Sequence, residues 1–322
     1  MTTTSGIITE LNVLKHTNAK SLAWSPSGKK LAIGGDRSFR VWDPEHNNKP
    51  KTYSALMMLS TDMEKVAWSL DWSPDGSKVA VAFGDKSIRV WSVESGVKSR
   101  VKLPGDAMGP WKGLGSPQCF DSLSWSEDGR IATTGDGRAQ IWNGRNDDIE
   151  LVLNQHRTLV HRIAWDPSSR RVATGDVHGR CAAVWDAASG ALVTEFREHG
   201  GSVDSVQFSC DGNRLLTSSE DGNVRIFDIQ SETLIRSLKH DGRTSSATWC
   251  ADDAIVFSTC GDQVWIWSLK EDIEPETICC KSGYKVYEVA VNKYSTKLAV
   301  RTQEGSVHVF NIADYVSRFR QQ

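Results

Sequence analysis

The stretch Val206–Asp228, VQFSCDGNRLLTSSEDGNVRIFD, decides the fold. It holds three short apolar runs, VQF, RLLTSS and VRIF, separated by CDG and EDG. Apolar and polar residues alternate within the runs, the period-2 signature of strands with one face in a core. The Asp-Gly pairs supply the positive φ that a tight hairpin needs. The stretch therefore reads as consecutive antiparallel strands, the last ending on Phe227 and Asp228. A sheet this small cannot bury its own faces, so the rest of the chain has to supply neighbours.

Copies of the same pattern fill the chain. LAWSPSGKKLAIGG begins at Leu22, LDWSPDGSKVAVAF at Leu70, LSWSEDGRIATTG at Leu123 and IAWDPSSRRVATGD at Ile163. SATWCADDAIVFST from Ser246 and VAVNKYSTKLAVRT from Val289 are weaker versions. Anchored on Trp24, Trp72, Trp125, Trp165, Phe208, Trp249 and Val291, the intervals are 48, 53, 40, 43, 41 and 42 residues. A second anchor closes each copy: FRVWD at Asp43, IRVWS at Ser92, AQIWN at Asn143, AAVWD at Asp186, VRIFD at Asp228, VWIWS at Ser268 and VHVFN at Asn311. The long intervals carry insertions, the second of them Gly- and Pro-rich around Trp111. Long loops in compact domains are more often functional than not. Helical periodicity is confined to the tail YVSRFRQQ.

Composition narrows the function classes. With 38 Lys and Arg against 40 Asp and Glu, the formal charge of −2 gives no global field for nucleic acid or an anionic membrane. The seven cysteines form no CxxC pair and no zinc spacing with histidine, so they read as small buried thiols and no metal or cofactor is expected. The start MTTTSGIITELNVLKH lacks a basic region followed by an apolar core, and no run reaches the roughly 18 apolar residues of a membrane helix. An intracellular protein, cytoplasmic or nuclear, is the expectation.

The repeats resemble the WD-repeat (Trp-Asp repeat) family, from about Ile7 to Asn311. The resemblance implies an all-β fold: one seven-bladed propeller over residues 1–322, with four-stranded antiparallel blades and an N-terminal strand at about 7–13 closing the last blade. It also implies a buried chain of hydrogen bonds inside each blade, from Asp through His and Ser or Thr to the Trp indole. An indole N–H only donates, and burying it without an acceptor costs about 1–3 kcal/mol. Matching copy by copy gives His16, Asp36 and Trp42 in the first, with Ile33 in place of the hydroxyl. The second gives Asp85 and Trp91, and the third Thr133, Asp136 and Trp142. The fourth gives His156, Thr174 and Trp185; the fifth His199, Thr217 and Asp221, with Phe227 replacing Trp. The sixth gives His240, Ser258, Asp262 and Trp267, compressed by one residue. These sets lie each within one blade and cannot converge on one substrate, so they are read as structural.

In the family, partners dock on the rim formed by the loops between blades. The residues implied to face that mouth are Lys20, Trp68, Asp121, His161, Asp204, Ser245 and Tyr287, joined by Glu220, Arg243 and the inserted Trp111. Aromatic anchors among charges of both signs suit a protein interface. The implied function is a non-enzymatic scaffold that holds proteins or peptides on this upper face as a subunit of a hetero-complex. Two alternatives stay open: a nucleic-acid or phosphate reader using Arg157, Arg162, Arg170, Arg171 and Arg180, and an enzyme using Asp121, His161 and Asp204.

Overall fold

The computed structural model describes residues 8–321 except 16–17, 37, 47–48, 55–65, 85–86, 97, 102–119, 136–137, 145–147, 154–158, 251–252, 271–272 and 280–282. Within these, seven antiparallel sheets of four strands each follow one another along the chain. Blade 5 is typical: Val203–Phe208, Arg214–Ser219, Asn223–Asp228 and Thr233–Lys239, paired in that order. The first strand of each blade lies innermost and ends on its anchor, an aromatic in blades 1 to 6 and Val291 in blade 7.

The hairpin between the first two strands is set by its own side chains. In blade 5, Ser209 Oγ donates to Asp211 Oδ1 at 2.6 Å and accepts the Arg214 N–H at 2.9 Å. Ser73 with Asp75 and Ser126 with Asp128 repeat the arrangement in blades 2 and 3. Gly212 completes the turn at φ +73°, in the left-handed region where a side chain would strain the backbone. The motif Ser-x-Asp-Gly is thus a closed local network that folds the strands back on each other.

The hydrophobic core is a ring of wedges between blades. Each of the seven buried clusters joins two neighbours: Leu123, Ile131 and Trp142 of blade 3, for example, pack with Ala82, Ile88 and Val90 of blade 2. Similar wedges run round to the cluster of Leu22 and Trp42 with Ala299 and Val309, which joins blade 7 to blade 1. The strand Thr9–Leu14 pairs antiparallel with Val307–Asn311 and forms the outer edge of blade 7, so both chain ends build one sheet. Glu10 Oε1 meets His308 Nδ1 at 2.6 Å across this closure. The tail forms the helix Ala313–Gln321, whose Tyr315 and Val316 are buried against blades 6 and 7. Among the described residues no helix is long and apolar enough to cross a membrane.

Candidate functional site

The side chains inside the blades organise the walls of the site. In blade 6 the Trp267 indole donates to Ser258 Oγ at 2.9 Å, and Ser258 Oγ lies 2.8 Å from His240 Nε2. Trp142 donates to Thr133 at 2.9 Å in blade 3, and Trp185 to Thr174 at 2.8 Å in blade 4. Blade 5 has no indole, and its chain runs the other way. Arg225 donates to His199 Nδ1 at 2.7 Å, which makes Nδ1 an acceptor and puts the ring proton on Nε2, 2.8 Å from Thr217 Oγ1. Arg225 also donates to Asp221 at 2.7 Å, whereas Asp221 is 3.8 Å from His199, too far for a direct hydrogen bond. Burial would raise the Asp221 carboxyl, but the nearby His199 ring and the hydrogen bonds from the Gly200 N–H and Arg225, each at 2.7 Å, outweigh it and hold the group well below the usual carboxylate range.

One member of the expected sets is corrected. Asp262 is exposed and takes no part in the blade 6 network, and among the described residues His240 Nδ1 is buried without a hydrogen-bond partner. Cys260 pairs directly with Gln263, so Gly261–Asp262 is a two-residue turn, while blade 5 uses three residues, Glu220 to Gly222. The missing residue swings the carboxylate away from the histidine. In blade 1, Asp36 is exposed and accepts from Asn18 Nδ2 at 2.9 Å. Trp42 is buried opposite Leu31, with Ile33 beside it in the wedge between blades 7 and 1. Trp91 is buried with the edge of Phe39 against it, 5.0 Å between ring centres. His16, Asp85, Trp111, Asp136 and His156 lie outside the described residues.

The seven innermost strands surround a central channel of about 830 Å³. They are stitched sideways: Leu123 N–H donates to Ser69 Oγ at 2.9 Å, Ile163 to Ser122 at 3.3 Å, Ala247 to Ser205 at 3.2 Å and Val289 to Ser246 at 3.3 Å. Indoles add a second stitch toward the lower end, such as Trp72 Nε1 to the Ala23 carbonyl at 3.0 Å and Trp165 to Ser124 at 3.1 Å.

At the upper mouth the channel is lined by Lys20, Trp68, His161, Asp204, Ser245 and Tyr287. Of Asp121 only the place within the strand Phe120–Trp125 is described. Asp204 is buried, and Arg243 grips its Oδ2 through Nε at 3.1 Å and a terminal nitrogen at 2.9 Å while reaching Glu220 at 2.7 Å. Burial raises the Asp204 carboxyl despite Arg243 and Arg162. His161 is pushed down to about 4 by burial and by the charges of Arg162 and Arg243, so it is neutral at pH 7. Trp68 is half-buried, Tyr287 is 36% exposed, and the Arg301 guanidinium lies 5.6 Å above the Tyr287 ring while pairing with Glu288 at 2.9 Å. The rim is thus a set of aromatic surfaces held among pre-paired charges.

The arginines around blade 4 do not form one patch. Arg162 faces the channel and donates to the Asp204 carbonyl at 2.6 Å. Arg171 stacks on Phe208 and donates to the Gly212 carbonyl at 2.6 Å, clamping blade 4 to blade 5, while Arg170 and Arg180 are exposed elsewhere and Arg157 is outside the described residues. Sequence reasoning missed Arg130, which clamps blade 3 to blade 4 over Trp165, and Asp71 in the channel wall. The signal for Asp71 was present: it stands immediately before an anchor, where the other copies have the uncharged Ala23, Ser124, Ala164, Gln207, Thr248 and Ala290. Among the described residues no cluster of His, Cys, Asp and Glu could hold a metal ion.

The model of the WD domain, G-beta repeat, matches residues 8–43, 59–92, 148–186 and 190–228. The WD repeat-containing protein slp1 of Schizosaccharomyces pombe is 24% identical over 279 residues, 72% of this chain and 54% of that protein. THO complex subunit 3 of Arabidopsis thaliana is 24% identical over 262 residues, 71% of this chain and 82% of the relative. Actin-interacting protein 1 of Drosophila melanogaster is 26% identical, over 77% of this chain and 40% of its own. The chain therefore spans about half or less of the first and third of these. A chain in the crystal structure of the mitotic checkpoint complex superposes with a TM-score of 0.80 at 19% identity, covering 95% of this chain and 92% of that one, a likeness of fold. Four matched repeats and seven four-stranded blades place this chain in the WD-repeat family of β-propellers.

Proposed function

We propose that this propeller is a non-enzymatic scaffold of an intracellular, cytoplasmic or nuclear, hetero-complex and that it docks a protein segment on its upper rim. The observation that carries this reading is the gathering of Lys20, Trp68, His161, Asp204, Ser245 and Tyr287, from six different blades, at one mouth. An aromatic ring on a rigid strand loses little entropy on binding, which suits Trp68 and Tyr287 to the role of anchors. The charges of Asp204, Arg243, Glu288 and Arg301 beside them are already paired within the chain, so a partner meets these groups fixed in place. A relative named as a THO complex subunit supports work within an assembly. His161 stands beside two arginines that disfavour its protonated form, and this weighs against a general-acid role for it. Full-length parent, Trp68→Ala and Lys20→Glu proteins should be compared for the proteins that co-purify with them and for thermal stability. Stoichiometric partners of the parent should be lost from both variants at unchanged melting temperature. Partners retained by both would move the docking surface off the upper rim.

A further inference from the structure

Asp71 sits in the lower half of the channel wall, immediately before the anchor Trp72. Its Oδ1 accepts the Trp72 N–H and its Oδ2 the Trp125 N–H, each at 2.8 Å, so it staples blade 2 to blade 3. Blade 5 makes the same staple with a neutral side chain: Gln207 Oε1 accepts the Trp249 N–H at 3.1 Å. Blades 1, 4 and 7 have alanine there. The staple therefore has no need of a negative charge.

That charge is costly where it stands. The half-buried carboxylate accepts two N–H groups and has further lone pairs, and an ion partly withdrawn from water without a counter-ion is unfavourable. Among the described residues no Lys, Arg or His pairs with Asp71, although Lys293 lines the same end of the channel. The carboxylates of the upper half are served differently, Asp204 by Arg243 and Glu288 by Arg301. Burial, with Glu127 nearby, pushes the Asp71 carboxyl up to about 6, against the two N–H bonds; it is nonetheless mostly ionised at pH 7.

The surroundings of this carboxylate suit a cation. Trp24, Trp72 and Trp125, from three consecutive blades, line the channel at this level, and indole faces attract ammonium and guanidinium groups. The Trp125 indole is also set apart from its equivalents. Trp24, Trp72, Trp165 and Trp249 donate to a carbonyl of the preceding blade, whereas Trp125 Nε1 has no acceptor among the described residues. A volume of about 830 Å³ is within the usual range of ligand sites and admits a long side chain.

We propose that the lower half of the channel receives a basic side chain, the ammonium of a lysine or the guanidinium of an arginine on a partner protein, held between the Asp71 carboxylate and the half-buried indoles of Trp24 and Trp125. This site lies at the opposite end of the channel from the upper rim and does not depend on it. The probes are acetylated, amidated pentapeptides of glycine and serine with arginine, lysine or citrulline at the centre, citrulline being the neutral isostere of arginine. Titrations at low salt are followed by calorimetry and tryptophan fluorescence. The arginine and lysine peptides should bind saturably, with Kd below about 10 mM, and the citrulline peptide at least about tenfold more weakly, a difference of ~1.4 kcal/mol. Asp71→Asn should weaken the arginine peptide to the citrulline level, and Asp71→Gln, which copies the blade 5 staple, should do the same in a protein that keeps its melting temperature. Glu232→Gln, exposed in the turn before the outer strand of blade 5 and away from the channel, should leave the affinity unchanged. Absence of saturable binding by both basic peptides, equal binding of citrulline, or parent-like affinity in both Asp71 variants would overturn the proposal.

Discussion

Removal of the His199 imidazole tests whether the blade networks hold the fold or face a partner. The side chain is fully buried, with Nε2 2.8 Å from Thr217 Oγ1 and Nδ1 2.7 Å from Arg225. In His199→Ala the Thr217 hydroxyl keeps only a 3.5 Å contact to the Arg225 carbonyl, and Arg225 keeps Asp221. One neutral hydrogen bond of about 1 kcal/mol and one involving a charged donor of roughly 1.5–3 kcal/mol are lost, so the expected destabilisation is about 2–4 kcal/mol. In a domain of this size each kcal/mol moves the melting temperature by about 2 °C, giving a fall of roughly 4–8 °C. Thermal and denaturant unfolding of parent, His199→Ala, Thr217→Val and the double variant measure this directly. The Thr217 substitution should cost less in the His199→Ala background, with a coupling of at least about 0.5 kcal/mol. The tautomer is a second readout: nitrogen-detected NMR should place the ring proton of His199 on Nε2 and that of His240 on Nδ1, because Trp267 occupies the acceptor side of Ser258. A melting temperature within 1 °C of the parent, or additive substitutions, would refute the network as described.

Three further outcomes follow from the geometry. Asp262→Ala should change stability by no more than about 0.5 kcal/mol because the carboxylate is exposed, whereas Asp221→Ala, which takes the counter-ion of Arg225 and leaves it His199 alone, should cost about 1.5–3 kcal/mol in the same unfolding assay. Deleting residues 1–14 removes the strand paired with Val307–Asn311 and exposes its edge, so light scattering should show aggregation below the parent's unfolding temperature; a monodisperse deletion with parental stability would contradict the closure. Burial lowers His240 from an ordinary value of 6.5 to about 4, so as pH falls from 6.5 to 4 the unfolded chain takes up a proton that the folded one refuses. Stability present above pH 6.5 is therefore lost across that window, by up to about 3 kcal/mol, and His240→Gln should flatten the fall in melting temperature measured between pH 7 and pH 4.5.

What the sequence by itself determined was everything encoded within one copy. Strand alternation, Asp-Gly turns and the recurrence of Trp24, Trp72 and their equivalents are properties of a few adjacent residues, and adjacent residues are what a sequence displays. The seven copies follow from that pattern, and the four-stranded blades and the pairing of Trp142 with Thr133, Trp185 with Thr174 and Trp267 with Ser258 follow from the WD-repeat resemblance that the pattern carries. Tertiary structure decided whatever passes between copies or turns on a single residue of loop length. Asp262 left its histidine because one fewer residue in a turn rotates the next side chain to another face, and the reversal of the blade 5 network required Arg225, opposite in the sheet to Thr217. The clamps of Arg130 and Arg171 and the staple from Asp71 to Trp125 join residues about forty to fifty positions apart. Their partners lie in the next blade, and the distance between blades is fixed by the packing of the wedges, which no local pattern contains.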